Sequence, residues 1–133
     1  MSRIFEQIGH ILAADTAYPL DGTFLYVECE AGMITPSVYR DLGDHLLYRL
    51  PNNALCDALI DLWESEAPEK RWAAMEYAIS GGKFDATFTY PGEFDRAGSS
   101  RDRRRAILAR RFGNKRIVYP PLADDDEGLD FQL

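Results

Sequence analysis

The sequence is poor in the side chains that most often perform chemistry, with two cysteines and two histidines in 133 residues. No pair of them has the spacing of zinc ligands, and the HExxH motif of zinc enzymes is missing. Two cysteines do not form the disulfide framework of a small secreted domain, so we expect Cys29 and Cys56 to be reduced thiols. These residues reveal no obvious active site, and we predict no catalytic residue, no metal and no cofactor.

Long apolar runs are also missing. No stretch approaches the roughly 20 residues that a membrane-spanning helix needs. The first residues lack the apolar centre of a secretory signal peptide and include an early acid, Glu6. We therefore expect a cytoplasmic protein that does not bind membranes.

Positive charge is scarce outside one short segment. The chain has 15 basic and 22 acidic side chains and a net charge of −7, which opposes the approach of nucleic acid. Residues 101–116 nevertheless contain eight basic side chains and one acidic side chain. This segment could bind phosphates, or it could form an amphipathic helix whose arginines pair with the acidic remainder of the protein. We favour the helix and do not expect nucleic acid as a partner, while a nucleic-acid-binding module remains the alternative function.

The length fits one ordinary domain, which would bury roughly two thirds of its unfolded surface. Near the C-terminus, Pro120 and Pro121 precede the acidic run Asp124–Glu127. We predict a single α+β domain over residues 1–119 and an acidic C-terminal tail over residues 120–133.

Periodicity divides the domain into helices and strands. The helical period appears over residues 2–15, 53–66 and 100–112, with Asn53 and Ser99 as expected N-caps. The alternation that is typical of strands appears over residues 23–31, 33–39, 45–50, 72–80 and 83–90. The order is α-β-β-β-α-β-β-α. Because hairpins dominate, we predict an α+β fold in which helices pack on one face of an antiparallel sheet of about five strands.

Two hairpins determine the register of the predicted sheet. Two-residue turns at Ala31-Gly32 and Gly81-Gly82 would each place apolar residues opposite apolar residues, for example Leu25 opposite Val38. Consecutive glycines suit a primed hairpin turn, because that turn needs positive φ at both central residues. The second hairpin is therefore the clearest local structure in the sequence.

The predicted helix over residues 53–66 and the residues after it are strongly acidic. Asp57 and Asp61 lie four residues apart without a basic partner in the helix, a spacing that slightly destabilises it. A solvated helix face would explain these acids, and a docking surface for a basic partner is the more specific interpretation. On that interpretation the partner-binding residues are Asp57, Asp61, Glu64, Glu66 and Glu69.

The second hairpin resembles a known protein family. Arg71-Trp72 is followed by Ile79–Tyr90, whose sequence is ISGGKFDATFTY. A tryptophan that opens a strand, a GKF turn and an F-x-Y strand are similar to the signature of the YezG-like immunity proteins. The specific part of this resemblance is residues 71–90.

Other features also fit this family: the N-terminal helix, the aromatic strand Phe24–Glu28, the acidic central helix and the charged stretch Arg101–Arg105. The resemblance covers about residues 3–119. It implies a bacterial cytoplasmic protein that binds and neutralises a cognate toxin domain, often a nuclease, and has no catalytic activity of its own. An acidic protein would suit such a partner, because nucleases present basic clefts to their polyanionic substrate. The oligomeric state stays open.

Overall fold

The computed structural model describes residues 2–120, and three α-helices and six strands lie in that range. The helices are α1 (Ser2–Ala13), α2 (Asn53–Glu64) and α3 (Ser100–Phe112). The strands are β1 (Thr23–Glu30), β2 (Met33–Asp41), β3 (His45–Arg49), β4 (Ala74–Ser80), β5 (Lys83–Thr89) and β6 (Arg116–Val118). Short 3₁₀ turns at Pro68–Lys70 and Pro91–Glu93 follow α2 and β5.

The strands form one mixed sheet in the order β5-β4-β1-β2-β3-β6. Neighbouring strands are antiparallel except β3 and β6, which are parallel. The prediction of an α+β fold is confirmed, whereas the prediction of about five antiparallel strands is only roughly right. Sequence periodicity does not reveal β6, because three residues are too few to show an alternation.

The helices cover both faces of the sheet, so the prediction that they pack on one face is wrong. On one face, Ile8 of α1 and Leu59 of α2 pack with Leu25 in the larger hydrophobic core. On the other face, Leu108 of α3 packs with Tyr26 in a second core. Seven of the eight residues of β1 are buried, because this strand lies at the centre of the sheet between the two helical layers.

Both hairpins have the predicted register. Leu25 lies opposite Val38 in the first hairpin, and β4 and β5 pair across the predicted turn in the second. Gly81 and Gly82 have φ values of 61° and 74°, the positive values that a primed turn requires. The local signals in the two hairpins were therefore sufficient to predict this part of the sheet.

The ends of α3 follow the predicted capping residues. Ser99 Oγ accepts a hydrogen bond of 3.0 Å from the amide N–H of Asp102. Gly113 has a φ of 67° and donates its N–H to the carbonyl oxygen of Ala109. These contacts satisfy backbone groups that have no partner within the helix itself.

One buried arginine holds the end of α1 against the sheet. Arg40 of β2 is 1% exposed, and its guanidinium lies 3.8 Å from the Asp15 carboxylate. It donates hydrogen bonds of 2.7, 3.1, 3.0 and 2.8 Å to the carbonyl oxygens of Leu12, Asp15, Tyr18 and Pro19. The Leu12 carbonyl belongs to the last turn of α1, where carbonyl groups lack helical partners. Arg40 therefore positions α1 and the loop that follows it.

The sequence predicted no membrane-spanning helix and an acidic C-terminal tail. No helix within residues 2–120 is both long and apolar enough to cross a membrane. The predicted acidic tail, residues 120–133, lies outside the described residues except for Pro120.

Candidate partner-binding surface

The five acids predicted to bind a partner lie on α2 and in the turn that follows it. The N-cap of α2 is Asn52 rather than the predicted Asn53, because the Asn52 side chain accepts a hydrogen bond of 2.8 Å from the N–H of Leu55. Two adjacent asparagines are equivalent caps when only the sequence is considered. The helix ends at Glu64, two residues before the predicted Glu66.

One face of α2 is buried and the opposite face is acidic. The buried residues are Leu55, Ala58, Leu59 and Leu62. Asp57, Asp61 and Glu64 are exposed and spaced by four and three residues, so they form one stripe, the acidic face of α2. Across residues 2–120, no basic side chain lies within ion-pair distance of these three carboxylates.

The turn after α2 has a mixed charge. Glu66 is half-buried and Glu69 is exposed, and Lys70 and Arg71 follow Glu69 directly in the chain. Arg71 donates hydrogen bonds of 3.2 and 3.4 Å to the backbone carbonyl oxygens of Glu66 and Glu64. A cation at this position stabilises the helix, because it interacts favourably with the negative end of the helix dipole. The five predicted acids therefore do not form one uniform surface, because cations accompany the last two.

The acids of the sheet have partners within the chain. Glu28 of β1 and Glu76 of β4 are 6% and 8% exposed. Arg103 donates to the Glu28 carboxylate at 2.8 and 2.9 Å. Arg110 and Arg111 donate to the two oxygens of Glu76 at 2.7 and 2.8 Å. These buried carboxylates hold α3 against the sheet.

The pKa values of these two acids reflect the same contacts. Burial alone would raise the pKa of Glu28 and Glu76, because it penalises the charged form. Hydrogen bonds from the arginines of α3 outweigh burial, and Tyr26 adds a hydrogen bond of 2.6 Å to Glu28. The pKa of each carboxyl therefore lies below its usual value, and both are ionised at neutral pH.

Half of the basic segment 101–116 is neutralised inside the fold. Four of its eight basic side chains form ion pairs with acids of the sheet or its loops, as expected for an amphipathic helix whose arginines pair with the acidic remainder of the protein. They are Arg103, Arg110, Arg111 and Lys115, the last of which binds Asp41 at 2.8 Å. The pattern of charges could not identify which arginines are paired, because this depends on how α3 lies on the sheet.

The few histidines and cysteines are not assembled into a reactive centre. His45 contacts the Asp44 carboxylate at 2.6 Å. Cys29 and Cys56 are free, and burial raises the pKa of both thiols, which keeps them protonated at neutral pH. Within the described range, no group of three or more histidine, cysteine, aspartate or glutamate side chains could hold a metal ion.

Comparison with known proteins leaves the family open. No protein-family model matches the sequence, and no curated protein is significantly similar to it. The resemblance to the YezG-like immunity proteins therefore stays a prediction that rests on residues 71–90, and the acidic face of α2 rests on its geometry alone.

Proposed function

We propose that the protein is an immunity protein that binds a basic toxin domain in the bacterial cytoplasm, in a stoichiometric complex and without turnover of its own. The observation that supports this most directly is the division of the acids into two classes. The sheet acids Glu28 and Glu76 bind arginines of the same chain, whereas the acidic face of α2 has no such partner within residues 2–120. That face is therefore free to meet a basic surface of another protein.

The acids of α2 lower the stability of their own helix. The like-charged pair Asp57 and Asp61 costs a few tenths of a kcal/mol at this spacing. Glu64 stands at the C-terminal end, where the helix dipole disfavours negative charge, and the Arg71 guanidinium on the carbonyl groups there offsets part of this cost. A basic partner would remove this repulsion, so binding would turn an unfavourable arrangement into a favourable one.

A helix is also a suitable platform for docking. The buried leucines of α2 already fix the helix against α1 and the sheet, so little ordering entropy opposes binding. Complementary charge steers association and disfavours wrong partners. We expect Glu66 and Glu69 to contribute less than the acidic face, because Lys70 and Arg71 follow Glu69 directly and Arg71 donates to the Glu66 backbone carbonyl oxygen.

The nature of the partner follows from the family resemblance. The hairpin over residues 71–90 is similar to the signature of the YezG-like immunity proteins, whose partners are toxin domains and often nucleases. A nuclease cleft is basic because it binds a polyanion, and the acidic face of α2 complements such a cleft.

The test compares two charge reversals of equal size after the partner has been recovered by co-purification from the native host. In the first, Asp57→Lys is combined with Asp61→Lys. In the matched control, Glu6→Lys is combined with Asp85→Lys, two exposed acids on α1 and β5. We expect the first variant to associate with the partner about tenfold more slowly and with a weaker dependence on salt, and the control to behave like the wild type.

Two results would contradict the proposal. Equal association rates for both variants would remove α2 from the interface. Failure to find a partner, together with turnover of a small substrate, would remove the immunity function itself. Circular dichroism of each variant shows whether slower association comes instead from a loss of folding.

A further inference from the structure

Three arginines of α3 point away from the acids of the sheet. Arg101, Arg104 and Arg105 are spaced like one face of a helix, and we call them the arginine face of α3. They border a cavity of about 240 Å³ between α3 and the last strand. The remaining residues that line it are Leu108, Ile117 and Tyr119.

The arginine face lacks the neutralisation found on the opposite side of the helix. Arg103, Arg110 and Arg111 each bind a buried carboxylate. By contrast, none of the three arginines at the cavity forms an ion pair with another described residue. Positive charge is therefore concentrated around an opening that also has an apolar wall, a suitable site for an anionic segment.

The described chain ends at this cavity. Tyr119 lines it and packs on Tyr48, with 5.3 Å between the two ring centroids. Four residues after Pro120 the sequence reaches Asp124, the first of the consecutive acids Asp124–Glu127. A span of four residues reaches at most about 14 Å. The stretch between Pro120 and the acidic segment is therefore short enough to allow contact with the arginine face.

We propose that the arginine face of α3 binds the acidic segment Asp124–Glu127 of the same chain. Each exposed ion pair is weak by itself. A short tether, however, gives the acids an effective concentration on the order of millimolar at this surface, which favours the intramolecular contact over a free competitor. The consequence is an internal shield that keeps other polyanions away from the arginine face. This inference concerns a different surface from α2 and does not depend on the immunity function.

The first measurement follows the guanidinium Nε–Hε signals of the full chain by NMR. The variant replaces the four acids by their amides: Asp124→Asn, Asp125→Asn, Asp126→Asn and Glu127→Gln. We expect the signals of the arginine face to shift, while that of Arg103, which is bound to Glu28, stays in place. High salt should move the wild-type signals toward those of the variant, because it screens exposed ion pairs. Signals of the arginine face that do not move would overturn the proposal.

The second measurement uses inorganic polyphosphate as a competing anion. We expect the amide variant to bind it at least about fivefold more tightly than the wild type, because the shield is gone. Adding Arg101→Gln, Arg104→Gln and Arg105→Gln should abolish that gain, whereas adding Lys83→Gln on β5 should not. Equal binding by the wild type and the amide variant would show that the arginine face is open to external anions, and would overturn the proposal.

Discussion

Arg103 binds Glu28 through two hydrogen bonds of 2.8 and 2.9 Å, which join the first turn of α3 to the central region of the sheet. The same guanidinium donates to the carbonyl oxygens of Asp95 and Gly98 and lies 4.6 Å from the centroid of the Phe94 ring. Bidentate pairs of this kind combine charge with a fixed geometry. Arg103 therefore orders the loop before α3 as well as the helix itself.

We predict that Arg103→Gln destabilises the protein by about 3 kcal/mol, because it leaves Glu28 buried without its cation. The matched control is Arg105→Gln, which removes an exposed arginine that pairs with no described residue and should change stability by less than about 0.5 kcal/mol. Urea denaturation measures both. Equal losses would mean that the buried pair contributes no more than a surface charge.

The free energy of unfolding should decrease at acidic pH, below the usual pKa of glutamate. The folded-state pKa values of Glu28 and Glu76 lie below the usual 4.5. Between these lowered values and 4.5, the unfolded chain binds more protons than the folded chain, so stability decreases as the pH falls through this range. Above 4.5 the contribution of both acids is complete. Asp15 and Asp41 act in the same direction, because arginine or lysine partners lower their pKa values.

The variant Glu76→Gln tests this assignment. It cannot be ionised, so its stability should decline less steeply than that of the wild type when thermal unfolding is followed from neutral pH to pH 3, although it should be less stable at neutral pH. An unchanged acid slope would show that Glu76 is not one of the groups responsible.

Gly81 should tolerate asparagine but not valine. Its φ is 61°, and an added Cβ would meet no atom within 4 Å, so only the backbone conformation opposes a side chain there. We predict that Gly81→Val costs about 1 kcal/mol or more, because β-branched residues resist positive φ. Gly81→Asn should be nearly neutral, because Asn-Gly is a preferred pair for this turn. Equal melting temperatures for the two variants would contradict the turn assignment.

Sequence patterns predicted the parts of the fold that depend on neighbouring residues. The Gly81-Gly82 turn and the register that pairs Leu25 with Val38 follow from local alternation and turn chemistry. The position of α3 depends on contacts between distant residues, such as Arg103 with Glu28. The sequence of β1 did indicate that a helix covers this face of the sheet. Phe24, Tyr26 and Glu28 lie on the face opposite Leu25, and two of these three side chains are aromatic.

The candidate site on α2 could also be predicted only in part. Helical spacing alone places Asp57, Asp61 and Glu64 on one face. It does not reveal that Arg71 binds the carbonyl groups at the end of the helix, because this contact requires the chain to turn back. Composition also could not show which four of the eight basic side chains in residues 101–116 are paired and which three form the arginine face. That depends on which acids the sheet buries beneath α3.

The ion pairs of residues 101–116 also bear on the alternative function, a nucleic-acid-binding module. A nucleic-acid-binding module would use the cations of residues 101–116, but four of these eight side chains are bound to acids of the fold. The net charge of −7 also opposes a polyanion.

We predict no micromolar binding of a single-stranded oligonucleotide at about 0.15 M salt, and only a shallow dependence on salt below that, because few phosphates could be neutralised. Fluorescence anisotropy over a series of salt concentrations measures both quantities. Micromolar binding that disappears in the variant Arg101→Gln with Arg104→Gln, but persists in Lys83→Gln, would instead support the nucleic-acid-binding module.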